Sequence, residues 1–180
     1  MGTRGRLALV AALGAALLAA AVAAPSAAPA NGAQQVELAA LESGVLAQLN
    51  AIRAQHGLRP LRSSPRLAAA AVQHTREMAA DGYFAHESAD GSAFWDRVAH
   101  FYGSSGYGYW SVGENLLWSS PSVDAGGALR LWMRSPEHRA NILSPTWHEI
   151  GIAAVHSAGA PGTYRGRPVT IVTTDFGVRR

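Results

Sequence analysis

The sequence predicts an α+β fold. Beyond residue 30, apolar residues recur at helical spacing over most of the chain. Two β-branched runs then close it, and a Gly- and Pro-containing connection joins those runs. Helices first and strands last imply a sheet packed against helices, or sandwiched between them. There is no internal repeat.

The chain has 180 residues, and one domain commonly takes about 100–200. There is no Cys, which excludes a disulfide-stapled scaffold, a thiol enzyme and any Cys ligand for zinc or an iron–sulfur cluster.

Residues 1–30 read as a secretory leader. Arg4 and Arg6 precede an apolar run from Leu7 to Val22, and small residues and prolines follow to Ala30. Cleavage is expected between residues 23 and 30. An uncleaved membrane anchor is the alternative reading of the same run. No later segment is long and apolar enough to span a bilayer, so no stable span is expected after processing. Residues 31–41 are expected to form a flexible lead-in and the start of the first helix, and 42–180 the domain.

The first helix is expected over Val36–Gln55, with Val36, Leu38, Leu41, Val45, Leu49 and Ile52 mostly on one face and Gly57 as terminator. Ser64-Pro65 reads as a hydroxyl cap followed by Pro at the first helical position, opening a helix to Ala80. Its stripe of Leu67, Ala70, Ala71, His74 and Met78 is small enough to let another layer come close. Asp81-Gly82 ends it. Asp90-Gly91-Ser92 reads as a turn and cap before a short helix over Phe94–Phe101, with Phe94, Trp95, Val98 and Phe101 inward. The glycines of 103–108 follow no strand, so they are not a phosphate-binding fingerprint.

Val112–Trp118 is apolar around Glu114 and Asn115 and reads as strand or irregular structure. Asp124 caps a helix over Ala125–Met133, and Ser135-Pro136 opens another over Pro136–Leu143 with Glu137 near its positive end. Ile150–His156 and Pro168–Phe176 read as strands, with 157–167 as their connection.

Charge argues against a nucleic-acid partner. The chain has no Lys. Two of its 15 Arg lie in residues 1–30, which leaves 13 against 12 Asp and Glu, a net charge of +1, with no dense basic patch.

Five short motifs occur in order. They are Tyr83-Phe84-Ala85-His86, Gly113-Glu114-Asn115-Leu116, the run from Trp132 to Leu143, Glu149-Ile150-Gly151-Ile152, and Thr174-Asp175-Phe176-Gly177. Together, over about residues 42–177, they resemble the CAP superfamily of cysteine-rich secretory proteins, antigen 5 and pathogenesis-related 1 proteins, in its secreted bacterial, SCP-like branch. The resemblance implies an α–β–α sandwich, with a small, mainly antiparallel sheet between helical layers and a central cleft. Family members commonly line that cleft with two His and two Glu. His86, Glu114 and His138 match three of these positions. Ser135 stands where the fourth usually lies, and Glu137 is close in sequence without matching it.

Two imidazoles and a carboxylate suit Zn2+ or another divalent metal with an open coordination position. The function this implies is an extracellular binding module. A metal-dependent hydrolase is one alternative, although no base or oxyanion stabiliser is identifiable. A lipid- or sterol-binding protein using Phe101, Tyr102, Tyr107, Tyr109 and Trp110 is the other. The partner is an undefined extracellular ligand, such as a lipid or cell-envelope component. Around the cleft, Asn115 and Asn141 are expected to hold backbone, Ser135 to cap a helix, and Trp132 to anchor the core. His74, His100, His148 and His156 have no assigned role.

Export is testable directly. Protein recovered from culture supernatant is expected to begin between Ala24 and Asn31 by intact mass, and an unprocessed chain retained in the membrane would refute this.

Overall fold

The computed structural model describes residues 34–180. The expected leader and residues 31–33 of the lead-in lie outside the described residues. Among the described residues no helix is long and apolar enough to cross a membrane.

The elements in chain order are β1 (Gln35–Glu37), α1 (Ala39–Gln55), β2 (Arg62–Ser63), α2 (Pro65–Asp81), α3 (Phe94–Phe101), β3 (Trp110–Ser119), α4 (Ala125–Arg134), α5 (Pro136–Ile142), β4 (Glu149–Ala160) and β5 (Arg167–Arg179). A 3-10 turn, Gly162–Tyr164, sits inside the β4–β5 connection. The main path of the sheet runs β1-β4-β5-β3, all antiparallel. β2 pairs in parallel with the start of β4.

Period-2 alternation sorts the two faces of this sheet. Ile150, Ile152, Ala154, Val172, Phe176 and Val178 form one core with residues of α1, α4 and α5, including Val45, Leu49, Leu129 and Trp132. Leu116, Val155, Val169 and Ile171 point to the other face, against Met78 and Ala79 of α2. Leu67 and Ala70 of α2 also pack on Val98 and Tyr102, which brings α3 into that layer. The result is the expected sandwich of helices, sheet and helices.

The close approach expected of α2 is realised at Gly151. A Cβ there would lie 2.0 Å from the Leu67 carbonyl carbon and 2.1 Å from the Ala68 nitrogen. The helix backbone therefore rests directly on β4. The end of α2 is equally tight. Gly82 takes φ +75°, and its carbonyl accepts from Thr163 N at 2.7 Å.

Several local expectations need correction. Val36 and its neighbours form β1 rather than the first turn of α1, because the outer edge of β4 offers a backbone ladder there and Val36 stays 47% exposed. Ser64 makes no side-chain cap bond, so Pro65 alone carries that helix start. In α3 the inward residue is Arg97, while Trp95 is 53% exposed. At 100° per residue, position 97 falls on the stripe of 94, 98 and 101, and position 95 falls off it. The β4 and β5 strands extend beyond their expected limits and shorten the connection. Other signals agree with the structure. α1 ends in a Schellman motif, with Leu58 N donating to Arg53 O and Gly57 N to Ala54 O, and Gly57 at φ +69°. Asp124 accepts from Gly127 N at 2.6 Å.

Gly151→Ala is expected to cost more than about 3 kcal/mol or to prevent folding, since neither backbone can yield. Gly91, at φ +84° in open space, is the comparison. Gly91→Ala should cost only about 1–2 kcal/mol of backbone strain. Equal losses in thermal unfolding would refute the close packing.

Candidate functional site

The segment carrying His86 has no regular structure, so side chains from elsewhere hold its carbonyls. Tyr164 Oη donates to Tyr83 O at 2.8 Å, and His74 Nε2 bonds Ala85 O at 2.9 Å. Arg97 Nη1 donates to His86 O at 3.3 Å and to Ser88 Oγ at 3.0 Å. His74, unassigned from sequence, is fully buried beneath this segment. Burial, and then the charge of Arg97, hold it below the usual imidazole range. As a neutral ring it donates from Nε2 and keeps Nδ1 toward Tyr83 Oη.

Glu114 lies in the middle of β3 with its carboxylate shut off from water. His86 Nδ1 donates to Oε1 at 2.6 Å, and Arg97 Nη2 donates to Oε2. The His86 ring is about half exposed, and with Nδ1 bound its other nitrogen is left free of this pair. The hydrogen bond to Glu114 raises His86 above the ordinary imidazole value, against the opposing effect of burial. Removing one partner of a buried ion pair typically costs about 3–5 kcal/mol, because the other charge stays buried. Glu114 and Arg97 therefore have to be kept together.

A further carboxyl, missed in the sequence, sits beside this pair. Asp175 is directly opposite Glu114 in the β3–β5 register and is completely buried. Neither of its oxygens has a hydrogen-bond partner among the described residues. Burial first, and then the negative charge of Glu114, push it well above the usual carboxylate range. Both effects favour the protonated form of Asp175, the form that could donate to the neighbouring Glu114 carboxylate. The signal was an acid inside the β-branched run from Val169 to Phe176.

His138 comes from the opposite helical layer. β3 is the edge strand, and α5 is bound to it by side chains. Asn115 Nδ2 donates to His138 O at 3.0 Å. Asn141 Nδ2 donates to Glu114 O at 3.1 Å and to Asn115 Oδ1 at 2.9 Å. Trp132 Nε1 donates to Leu116 O at 3.0 Å from α4. These bonds satisfy an edge that would otherwise offer free carbonyls. Gly113 leaves the room they need, since a Cβ there would meet Trp147 at 2.9 Å and Asn141 at 3.2 Å. His138 is held below the usual imidazole range by burial and then by the charge of His86. The two rings are thus within electrostatic reach of each other.

The structure therefore brings His86 and Glu114 into contact and sets His138 across the edge strand from them. Among the described residues no group of three His, Cys, Asp or Glu side chains is placed to hold one ion. Ser135 is occupied as the α5 cap, accepting from His138 N, and its hydroxyl bonds Glu137 at 3.0 Å. Glu137 is exposed and does not join the buried pair. A cleft of about 470 Å3 adjoins the site on the Arg97 side, lined in part by Glu77, Ser88, Asp96, Arg97 and His100. Of the aromatic stretch, Tyr102 is buried with its hydroxyl on Glu149. Arg179 lies over the rings of Tyr102 and Tyr107, and Arg180 over Tyr109.

Residues 46–174 match the family described as CAP, the cysteine-rich secretory protein family. An uncharacterized protein of Bacillus subtilis, YkwD, is 31% identical over 120 residues, which is 67% of this chain and 44% of that protein. An extracellular protein containing an SCP domain from Bacillus anthracis superposes with a TM-score of 0.60 at 25% identity, covering 79% of this chain and 41% of that one. An outer surface protein of Borrelia burgdorferi superposes with a TM-score of 0.66 at 14% identity over 82% of this chain and 99% of its own, a likeness of fold alone. The chain thus spans less than half the length of its two Bacillus relatives.

The raised pKa of Asp175 has a consequence for stability. Its folded-state pKa is raised, so its contribution is complete at low pH and is lost as pH rises through that pKa. Asp175→Asn keeps a neutral group and cannot ionise. The thermal midpoint of Asp175→Asn relative to wild type should therefore climb as pH rises. A difference independent of pH would show that Asp175 is already charged.

Proposed function

The chain belongs to the CAP family, in its bacterial SCP-like branch, and from that premise we propose that it works outside the cell as a binding module. In this reading His86 and His138 present imidazoles at one cleft and hold a divalent metal such as zinc. The observation that supports it is the fixed ring of His86, whose Nδ1 is bound to a buried carboxylate while the other nitrogen is left to a ligand. Carboxylates commonly set metal-bound histidines in this way.

The donor set fits a metal with one change of roles. Both oxygens of Glu114 are taken, one by His86 and one by Arg97, and the adjacent guanidinium opposes a second cation. Glu114 then serves as the partner that orients His86, and the metal ligands are the two imidazoles completed by water or by the bound molecule. Two protein ligands give weaker binding than a closed four-ligand site. Bound there, a divalent ion would act as a Lewis acid toward a ligand oxygen.

Calorimetric zinc titration of the untagged protein tests this. His86→Ala and His138→Ala should each weaken binding, and the double change should nearly abolish it. His148→Ala should leave binding intact. Binding should be weaker at about pH 5.5 than at about pH 7.5, because both rings must be neutral to donate. Wild-type binding no tighter than that of the double variant would refute the site. Turnover of a supplied ester or peptide, lost in both single variants, would replace the binding module with the hydrolase.

A further inference from the structure

A second cleft, of about 430 Å3, shares no lining residue with the cleft beside His86. It is lined by Arg59, Pro60, Arg62, Trp147 and His148. No carboxylate lines it, and neither Arg59 nor Arg62 forms an ion pair among the described residues. Glu149, the register partner of Arg62, is turned to the Tyr102 hydroxyl. Beneath the loop lies Arg53, itself buried, whose guanidinium meets only carbonyls. Nε donates to Arg59 O at 2.9 Å, and Nη1 donates to Ile142 O at 2.7 Å and Ser144 O at 2.9 Å. Two arginines therefore line a cleft that has no carboxylate in its lining, and a third, buried arginine holds the backbone of Arg59 beneath it.

The backbone that carries them is fixed. Asn50 exchanges two hydrogen bonds with Leu61, at 3.0 and 2.8 Å. Arg62 N donates to His148 O at 3.1 Å, joining the two walls. Trp147 is stacked on Phe176, and its indole N–H has no acceptor among the described residues. With the backbone pinned, binding has only the side chains of Arg59 and Arg62 to order.

We propose that this cleft binds a phosphate group. Two guanidinium forks and an imidazole match the several oxygens and double charge of a phosphate. Pro60 and Trp147 supply an apolar wall for whatever carries it, and the volume lies in the range of small-ligand pockets.

The test is calorimetric titration of the full chain at low salt with inorganic phosphate, glycerol 3-phosphate and acetate. Both phosphates should bind saturably at one site, and acetate much more weakly. Tighter binding of the ester shows that the phosphate is borne on a larger molecule, and equal binding shows that phosphate alone suffices. Either result upholds the site. Arg59→Gln and Arg62→Gln should each weaken binding about tenfold, the effect of one charged hydrogen bond lost. Arg165→Gln, in the β4–β5 connection and outside the cleft lining, should change nothing. Unaltered thermal midpoints verify folding, and His148→Gln replaces any variant that fails this check. The proposal is overturned by absence of saturable phosphate binding, by acetate binding as tightly, or by equal weakening in Arg165→Gln.

Discussion

Glu114 is a carboxylate without access to water, and its charge has to be met inside the fold. Meeting it fixes much else. Arg97 must come inward from α3, which turns Trp95 out and sets how that helix lies on α2. The same guanidinium reaches back to the carbonyl of His86, so one cation both neutralises Glu114 and shapes the segment that presents the imidazole. Burial and the charge of Glu114 both raise the pKa of the neighbouring Asp175, against the opposing charge of Arg97. The position of His86 and the orientation of α3 are two results of one buried charge, and the raised pKa of Asp175 is in part a third.

The edge strand is the second constraint. A β-strand at the border of a sheet leaves carbonyls to be satisfied, and here the acceptors at Glu114 and Leu116 take their donors from α4 and α5. Asn115 and Asn141 also bond each other, so α5 cannot shift along β3 without breaking several bonds together. His138 inherits its place from this clamp. The site is thus assembled from both helical layers across a single strand. That is why its members lie far apart in sequence.

Much of this was legible in the chain. Turn and cap residues marked their elements at Gly57, Gly82, Asp124 and Ser135, because each does its work through local geometry. The apolar stripe of α2 and the β-branched runs of β4 and β5 were legible for the same reason. The misreadings were tertiary. Val36 follows a pairing offered by a strand more than a hundred residues later. Arg97 sits at a core position of its helix, and its charge hid that from a reading based on apolar residues. His74 and Asp175 carry no local signal of burial beyond their position within apolar patterns. For the cleft, spacing alone could not have joined His86, Glu114 and His138. The family motifs named them, and the contacts then showed which of them touch.

The short pairing of Gln35–Glu37 with Ser157–Val155 fixes where the chain enters the domain. That entry lies on the border of the sheet opposite to β3, three strand spacings and so about 14 Å away across the ladder. The molecule is therefore polar in presentation. A linker, label or solid support attached ahead of Gln34 meets the domain at its β1 border, on the side of the sheet away from the strand that carries Glu114.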